Sequence, residues 1–133
     1  MNITIRDNSP LPVYQQIHDA VVQAIATGQL AYGDQLLSVR AVAQELSINP
    51  ATVLKAYDLL KAEGLVVSHN RGKTTVAADP HHTATDLDSS SWEEALLHLL
   101  ALGRAQGRDT EAILLTARQQ LTWLESQQEA SHV

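Results

Sequence analysis

The segment Asn49-Pro50-Ala51-Thr52 constrains the fold of this chain most, because it fixes where a helix begins. Asparagine is a favoured helix N-cap, and proline is favoured at the first helical position, where its missing N–H has no helical partner to lose. Gly64 is expected to end this helix, since glycine readily adopts the left-handed conformation of a C-terminal cap. Between the two ends, helical spacing predicts a buried stripe of Val53, Ala56, Tyr57 and Leu60.

A second, shorter helix is predicted immediately upstream. Ser38 can cap it and Leu46 ends it, so only two residues separate it from Asn49. A tight turn must therefore join the two helices. Both are short, so they need packing partners to be stable. The predicted buried face of the shorter helix consists of Val39, Val42, Ala43 and Leu46.

The packing partners are predicted on either side of this pair. Residues 11–26 have helical spacing, with Pro12 suited to the first turn and Gly28 ending the helix. The β-like runs 65–68 and 74–78 flank the basic tip His69-Asn70-Arg71-Gly72-Lys73, which predicts a hairpin. Helix, helix, tight turn, helix and hairpin is the order of a winged helix-turn-helix. The predicted fold class is thus mainly α with a small β-hairpin.

Charge divides the chain into two regions. The formal net charge of −6, averaged over all 133 residues, argues against nucleic acid as a partner. Residues 1–78, however, carry six basic and six acidic side chains, whereas residues 79–133 carry three and nine. We therefore predict a neutral DNA-binding domain at 1–78, a polar linker rich in Pro, Ser, Thr and Asp at 79–90, and an acidic region at 91–133 that faces away from the duplex.

The acidic region is predicted to contain two helices. Ser91 and Glu94 have the spacing of a capping box, which predicts a helix to about Leu102. Residues 103–107 are expected to break that helix, and Asp109 or Thr110 to start a longer one. Two such helices cannot bury all their leucines and both tryptophans against each other alone.

These helices either fold back on the N-terminal domain or pair with the same helices of a second chain, in an antiparallel-type bundle. We favour the second arrangement, which makes residues 91–133 a two-helix dimerisation region. The predicted dimerisation residues are Trp92, Leu96, Leu99, Leu100, Ile113, Leu114, Leu121, Trp123 and Leu124.

The N-terminal domain carries several side chains suited to DNA. A helix-turn-helix places the start of its second helix in the major groove. Thr52 can donate its hydroxyl to a phosphate, and Lys55 can reach a phosphate or a guanine edge. Arg40 in the preceding helix suits the DNA backbone or the groove floor, and Arg71 and Lys73 at the hairpin tip suit phosphate or minor-groove contact. Each cation alone is typical of an ordinary solvated surface, and only their combination on a winged helix favours DNA.

Several spaced motifs of this domain form a recognisable pattern. They are Pro12-Val13-Tyr14-Gln15-Gln16-Ile17, Ser38-Val39-Arg40, Ala43-Gln44-Glu45-Leu46, Asn49-Pro50-Ala51-Thr52-Val53, Ala56-Tyr57 and Glu63-Gly64-Leu65-Val66. Over residues 10–78 this pattern resembles the GntR family of bacterial transcription factors. The Asn-Pro-x-Thr-Val and Ala-Tyr forms are similar to its YtrA-type branch, in which a short two-helix region follows the DNA-binding domain.

The resemblance implies particular contacts and shows two departures. Leu37 stands where the family usually has proline, which should loosen the start of the following helix. The wing ends in Lys73-Thr74-Thr75-Val76 where Gly-Thr-Phe-Val is usual, which should alter its turn and its insertion into a groove. The DNA-binding residues, predicted from the pattern and the resemblance together, are Ser38, Arg40, Asn49, Thr52, Lys55, Arg71, Gly72 and Lys73.

Other functions find less support in the sequence. No nucleophile–base–acid set or phosphate-binding glycine loop is present, so neither enzymatic activity nor a cofactor is expected. His81 and His82 beside Asp79 keep a metal-responsive sensor as an alternative. A protein-interaction module on a winged-helix scaffold is the other alternative. His18 and His98 are interpreted as surface or boundary residues.

We therefore expect a cytoplasmic, homodimeric repressor that binds a pseudo-palindromic operator in double-stranded DNA. The N-terminus lacks the apolar core of a signal peptide, and no run approaches about 18 apolar residues, so no membrane segment is expected. The resemblance to the YtrA-type branch implies control of its own operon and of neighbouring transporter genes. A small-molecule effector between the DNA-binding domain and the C-terminal helices is a further candidate partner, although no residue set identifies one.

Overall fold

The computed structural model describes residues 3–79 and 90–131, and its architecture is a winged helix-turn-helix followed by two further helices. In chain order the elements are α1 (Val13–Ala26), α2 (Val39–Leu46), α3 (Pro50–Ala62), β1 (Val66–Ser68), β2 (Thr74–Val76), α4 (Ser90–Ala105) and α5 (Thr110–Ser131), with a 3-10 turn at Asn70–Gly72. This order confirms the predicted fold class.

The helix α1 supports α3 from behind. Its residues Ile17 and Val21 are completely buried and belong to the same apolar core as the α3 stripe. Pro12 is the N-cap residue of α1 and lies outside its first turn, so the predicted start at residue 11 was two residues early. After the helix the chain reverses at Gly28, whose φ of +83° is a left-handed conformation that glycine adopts without strain.

The helix-turn-helix is held by the predicted caps. The Ser38 hydroxyl oxygen accepts a hydrogen bond from the Ala41 N–H at 3.0 Å, and the Asn49 side-chain oxygen accepts one from the Ala51 N–H at 2.9 Å. Ser47 makes the turn between the helices with a φ of +55°, in a region that few residues other than glycine adopt. Each helix therefore begins where the sequence predicted, and one strained residue sets the angle between them.

A buried tyrosine connects α3 to the segment before α2. Tyr57 is 1% exposed, and its hydroxyl donates a hydrogen bond to the Leu37 carbonyl oxygen at 2.6 Å. Burial raises the pKa of Tyr57 to about 12, so the hydroxyl stays a neutral donor at physiological pH. The segment before α2 is thus hydrogen-bonded to α3 at Leu37, the position where the GntR pattern has proline.

The wing has a third strand-like segment that the sequence did not indicate. β1 and β2 pair in antiparallel register, with Val66 opposite Val76 and Ser68 opposite Thr74. Backbone hydrogen bonds also join Leu36 N–H to the Thr74 carbonyl at 2.8 Å and Val76 N–H to the Asp34 carbonyl at 2.9 Å. The chain between α1 and α2 therefore fixes the far edge of β2.

The C-terminal helices form a hairpin whose turn differs from the prediction. The expected break at residues 103–107 is wrong for its first part, because α4 continues through Gly103 to Ala105. A Cβ built on Gly103 would lie 3.3 Å from the Ile113 Cδ1 atom, so this glycine lets α5 approach α4 closely. The turn itself lies at Gly107, with a φ of +93°, and the Asp109 carboxylate then caps α5 by accepting from the Ala112 N–H at 2.7 Å.

No helix in the described part of the chain is both long enough and apolar enough to span a membrane.

Candidate DNA-binding surface

The outer side of α3 is the surface that a recognition helix would present to DNA. Ala51, Leu54, Lys55 and Asp58 are exposed, whereas the predicted stripe on the opposite side is fully buried. Thr52 is half-buried at the border between the two. The first two turns of α3 are therefore available to a groove, as the helix-turn-helix prediction requires.

Lys55 has a defined position on this surface. Its Nζ atom lies 4.0 Å from the centroid of the Tyr14 ring, a cation–π geometry that joins α3 to the first turn of α1. Tyr14 is half-buried, so its ring is fixed while the lysine remains exposed. The sequence identified Lys55 as a DNA ligand but missed Tyr14, whose partner is 41 positions away in the chain.

The predicted DNA ligands at the starts of α2 and α3 differ in how much of their hydrogen-bonding capacity is still available. Ser38 and Asn49 already use their side-chain oxygens to cap α2 and α3. Their remaining hydrogen-bonding capacity is the Ser38 hydroxyl proton and the Asn49 amide NH2 group. Arg40 is the exposed second residue of α2, and its side chain caps neither helix. It is therefore the freer of these ligands.

The basic tip of the wing is tightly turned. Arg71 and Gly72 have φ values of +73° and +76°, and both are exposed together with Lys73. The His69 N–H donates to the Lys73 carbonyl at 2.7 Å, which closes the loop. Arginine in the left-handed region carries a conformational cost, so the loop holds the Arg71 side chain at the tip despite local strain.

One histidine contradicts its predicted surface or boundary position. His18 is buried, with Nδ1 2.8 Å from Asp19 Oδ1 and Nε2 in a short contact with Glu63 Oε1. Burial opposes its charged form, but hydrogen bonds and charge from Asp19 and Glu63 outweigh it, so the pKa of His18 is raised above 6.5. The contact between His18 and Glu63 joins α1 to the residue that follows α3. His98, by contrast, is exposed as predicted.

Most of the predicted dimerisation residues lie on an exposed apolar surface of α4 and α5. Trp92 and Leu99 are 67% and 65% exposed. Ile113 is half-buried against α4, and Leu124 is half-buried beside the groove between α1 and α5. Three further leucines, which were not among the predicted dimerisation residues, are also exposed: Leu97, Leu102 and Leu115. The remaining exposed members of the predicted set are Leu96, Leu100, Leu114, Leu121 and Trp123.

A groove of about 620 Å³ lies between α1 and α5. Asp19, Val22 and Gln23 line it from α1, and Gln120 and Trp123 line it from α5. Near its end, the Gln128 side chain donates a hydrogen bond to the Ala26 carbonyl. The C-terminal hairpin thus touches the DNA-binding domain at α1 while leaving most of its leucines uncovered.

The histidine pair suggested as a metal site, His81 and His82, lies outside the described residues. Among residues 3–79 and 90–131, no group of three or more His, Asp or Glu side chains is arranged to hold a metal ion.

Comparison with known proteins identifies the family. Residues 13–76 match the model of "Bacterial regulatory proteins, gntR family". The uncharacterized HTH-type transcriptional regulator YhcF of Bacillus subtilis is 31% identical over 88 residues, which cover 66% of this chain and 72% of YhcF. The chain belongs to the GntR family.

The likeness to YtrA proteins extends beyond the DNA-binding domain. The HTH-type transcriptional repressor YtrA of Bacillus subtilis is 29% identical over 111 residues, covering 84% of this chain and 85% of YtrA. YtrA from Sulfolobus acidocaldarius, described as a GntR-family transcription factor, aligns with a TM-score of 0.59 at 30% identity, over 75% of this chain and 97% of its own. The predicted family and YtrA-type branch are confirmed.

Two further solved structures support the fold. A protein described as a transcriptional antiterminator, from Listeria monocytogenes EGD-e, aligns with a TM-score of 0.77 at 25% identity, over 90% of this chain and 89% of its own. The DNA-binding domain of AraR, solved in complex with operator ORX1, aligns with a TM-score of 0.51 at 22% identity, over 58% of this chain and 96% of its own. The second likeness concerns the fold of the DNA-binding domain alone.

Proposed function

We propose that this GntR-family chain is a homodimeric transcriptional repressor that binds a pseudo-palindromic operator in double-stranded DNA. The observation that carries the proposal is the outer side of α3, exposed and fixed at its start by the Asn49 cap, with Lys55 oriented over Tyr14. The family, the likeness to the YtrA repressor and the winged helix-turn-helix all support it.

Each predicted ligand has a role on this surface. Lys55 contacts a phosphate or a guanine edge in the major groove, and Thr52 at the border of α3 donates to a phosphate. Arg40 contacts the DNA backbone beside the groove. Arg71 and Lys73, with Gly72 permitting the turn, place two charges against the neighbouring backbone or minor groove. Ser38 and Asn49 act mainly by fixing the helix starts, with the Ser38 hydroxyl proton and the Asn49 NH2 group left to donate to a phosphate.

Dimerisation is proposed through the α4–α5 hairpin. The apolar surface runs along both helices and includes side chains as exposed as Trp92 and Leu99. An apolar surface of this extent is unusual on a monomer and is typical of an interface. A second copy of the same chain is the occupant we propose, since a two-fold pairing of hairpins would cover both surfaces and give two DNA-binding domains.

The remaining assignments follow from this function. The chain is proposed to act in the cytoplasm, with no enzymatic activity of its own, on its own operon and on neighbouring transporter genes, as its likeness to YtrA suggests. The groove between α1 and α5 is where a small-molecule effector would bias the position of the DNA-binding domain relative to the hairpin.

Selection of duplex DNA by the purified full chain tests the proposal. We expect repeated rounds from a random pool to yield a sequence with two inverted half-sites, bound more tightly than its scrambled version. The double variant Arg40→Ala/Lys55→Ala should lose most of that preference. Enrichment of no sequence, or equal binding by the double variant, would contradict the DNA-binding assignment.

A further inference from the structure

We propose that Leu54 recognises the 5-methyl group of a thymine in the major groove, an inference that rests on the proposed DNA-binding function. Leu54 is 46% exposed on α3, while its neighbour Val53 is completely buried. Leucine outside the buried stripe of a helix adds nothing to the core. Its exposure on the helix proposed to enter the major groove makes it available to a base edge.

Helix geometry places Leu54 among the residues that would face the bases. At about 100° per residue, Leu54 follows Pro50 by four positions and Ala51 by three, so the three share one side of the first two turns. All three are exposed. Lys55 lies beside them and points toward Tyr14. The start of α3 therefore presents an apolar strip, Pro50–Ala51–Leu54, flanked by one cation.

The strip itself has no side-chain hydrogen-bonding group. The Asn49 side-chain oxygen is engaged by the Ala51 N–H, and Thr52 is half-buried on the other side. The exposed hydrogen-bonding side chains between residues 50 and 58 are Lys55 and Asp58. Base recognition by the strip must therefore be apolar.

The major groove offers one apolar feature for such a strip. Among the four bases, only thymine presents a methyl group there, and apolar side chains recognise it by contact. A leucine against a base edge without a methyl group would instead cover polar atoms with no hydrogen bond, which is unfavourable. Leu54 therefore favours an A·T pair at one defined position of each half-site.

Single exposed leucines are common on protein surfaces, so the test must separate a DNA contact from an idle side chain. The experiment uses the duplex selected by the full chain and replaces its thymines one at a time with uracil, which removes only the methyl group. We expect the wild-type chain to lose about three- to fivefold in affinity at one thymine of each half-site, the value of one buried methyl group.

Variants at the same position complete the test. Leu54→Ala should bind the unmodified duplex more weakly and show no loss on replacement of that thymine, while Leu54→Met should keep most of the wild-type sensitivity. Alanine and methionine are good helix formers at this exposed position, and circular dichroism confirms that both variants fold.

Two results would overturn the inference. One is a selected duplex that the wild-type chain binds equally well with every thymine replaced. The other is a Leu54→Ala variant that keeps the same sensitivity to methyl removal, which would assign the contact to another residue. Failure to select any duplex would instead contradict the proposed DNA-binding function.

Discussion

The Lys55 ammonium nitrogen lies 4.0 Å from the centre of the Tyr14 ring, so the lysine expected to meet DNA is oriented by an aromatic side chain of α1. Cation–π contacts at exposed sites contribute about 0.5–1 kcal/mol. The contact also limits the directions in which a flexible lysine can extend, which lowers the entropy lost when it binds.

Tyr14→Leu should therefore weaken operator binding by about two- to fivefold, because a lysine that nothing orients beforehand loses more side-chain freedom on binding. Tyr14→Phe keeps the ring face and should bind as the wild type does. Fluorescence anisotropy with a labelled operator measures both, and thermal melts check that each variant is folded. A second comparison uses Lys55→Ala, in which Tyr14→Leu should have no further effect. Equal binding by Tyr14→Leu and the wild type would show that the ring does not orient the lysine.

The buried His18 predicts a pH dependence of folding. Its pKa is raised in the folded chain, so the fold favours the imidazolium. The contribution of His18 to the free energy of unfolding is complete below the unfolded pKa of about 6.5. It disappears as the pH rises through the raised pKa of the folded chain. Glu63→Gln removes one charge that stabilises the imidazolium and should lower the free energy of unfolding by about 1 kcal/mol at pH 6. At pH 9 the wild type and Glu63→Gln should have nearly equal free energies of unfolding.

Urea unfolding at the two pH values measures this difference. Asp58→Asn is a matched control, since Asp58 is an exposed α3 carboxylate 3.7 Å from Lys61 and does not contact His18. Its effect should be small and the same at both pH values. A Glu63→Gln effect that does not change between pH 6 and pH 9 would contradict the raised pKa.

The local features of the DNA-binding domain could be predicted because the residues that determine them are adjacent in the chain. Ser38, Asn49 and Pro50 each act within three positions of themselves, and the helices begin where these residues predicted. The wing tip could be predicted for the same reason, since Arg71, Gly72 and Lys73 are consecutive in the chain.

Features that depend on distant partners could not be predicted. His18 was interpreted as a surface or boundary residue because its helix neighbours are mostly apolar or small, whereas its partner Glu63 is 45 positions away. Residues 34–36, which pair with β2, do not form a β-like run, so the sequence did not indicate this pairing. Gly103 was expected to break α4, but packing against Ile113 makes the absence of a side chain favourable there and outweighs glycine's low helix propensity.

The exposed apolar surface of α4 and α5 predicts that a single charge prevents dimerisation. Leu114→Asp places a carboxylate on that surface, where burial against a second copy would be unfavourable. We expect light scattering to give about twice 14.5 kDa for the wild type and 14.5 kDa for the variant at micromolar concentration. Gln29→Asp adds the same charge at the exposed turn after α1, outside the hairpin, and should leave the dimer intact.

Removal of the hairpin gives an independent check. A chain ending at Asp88 should be monomeric, since both proposed interface helices are absent. A dimer that survives this truncation would place the interface in the DNA-binding domain.

The most direct test of the central claim is the salt dependence of operator binding. Each phosphate contacted by a cation contributes a slope of about −0.9 in a plot of log affinity against log salt concentration. The full chain should lose affinity steeply between about 50 and 200 mM salt, and Arg71→Ala or Lys73→Ala should each make the slope shallower by about one. An affinity that does not change with salt, or a slope identical in the wild type and both wing variants, would contradict the assignment of this surface to DNA.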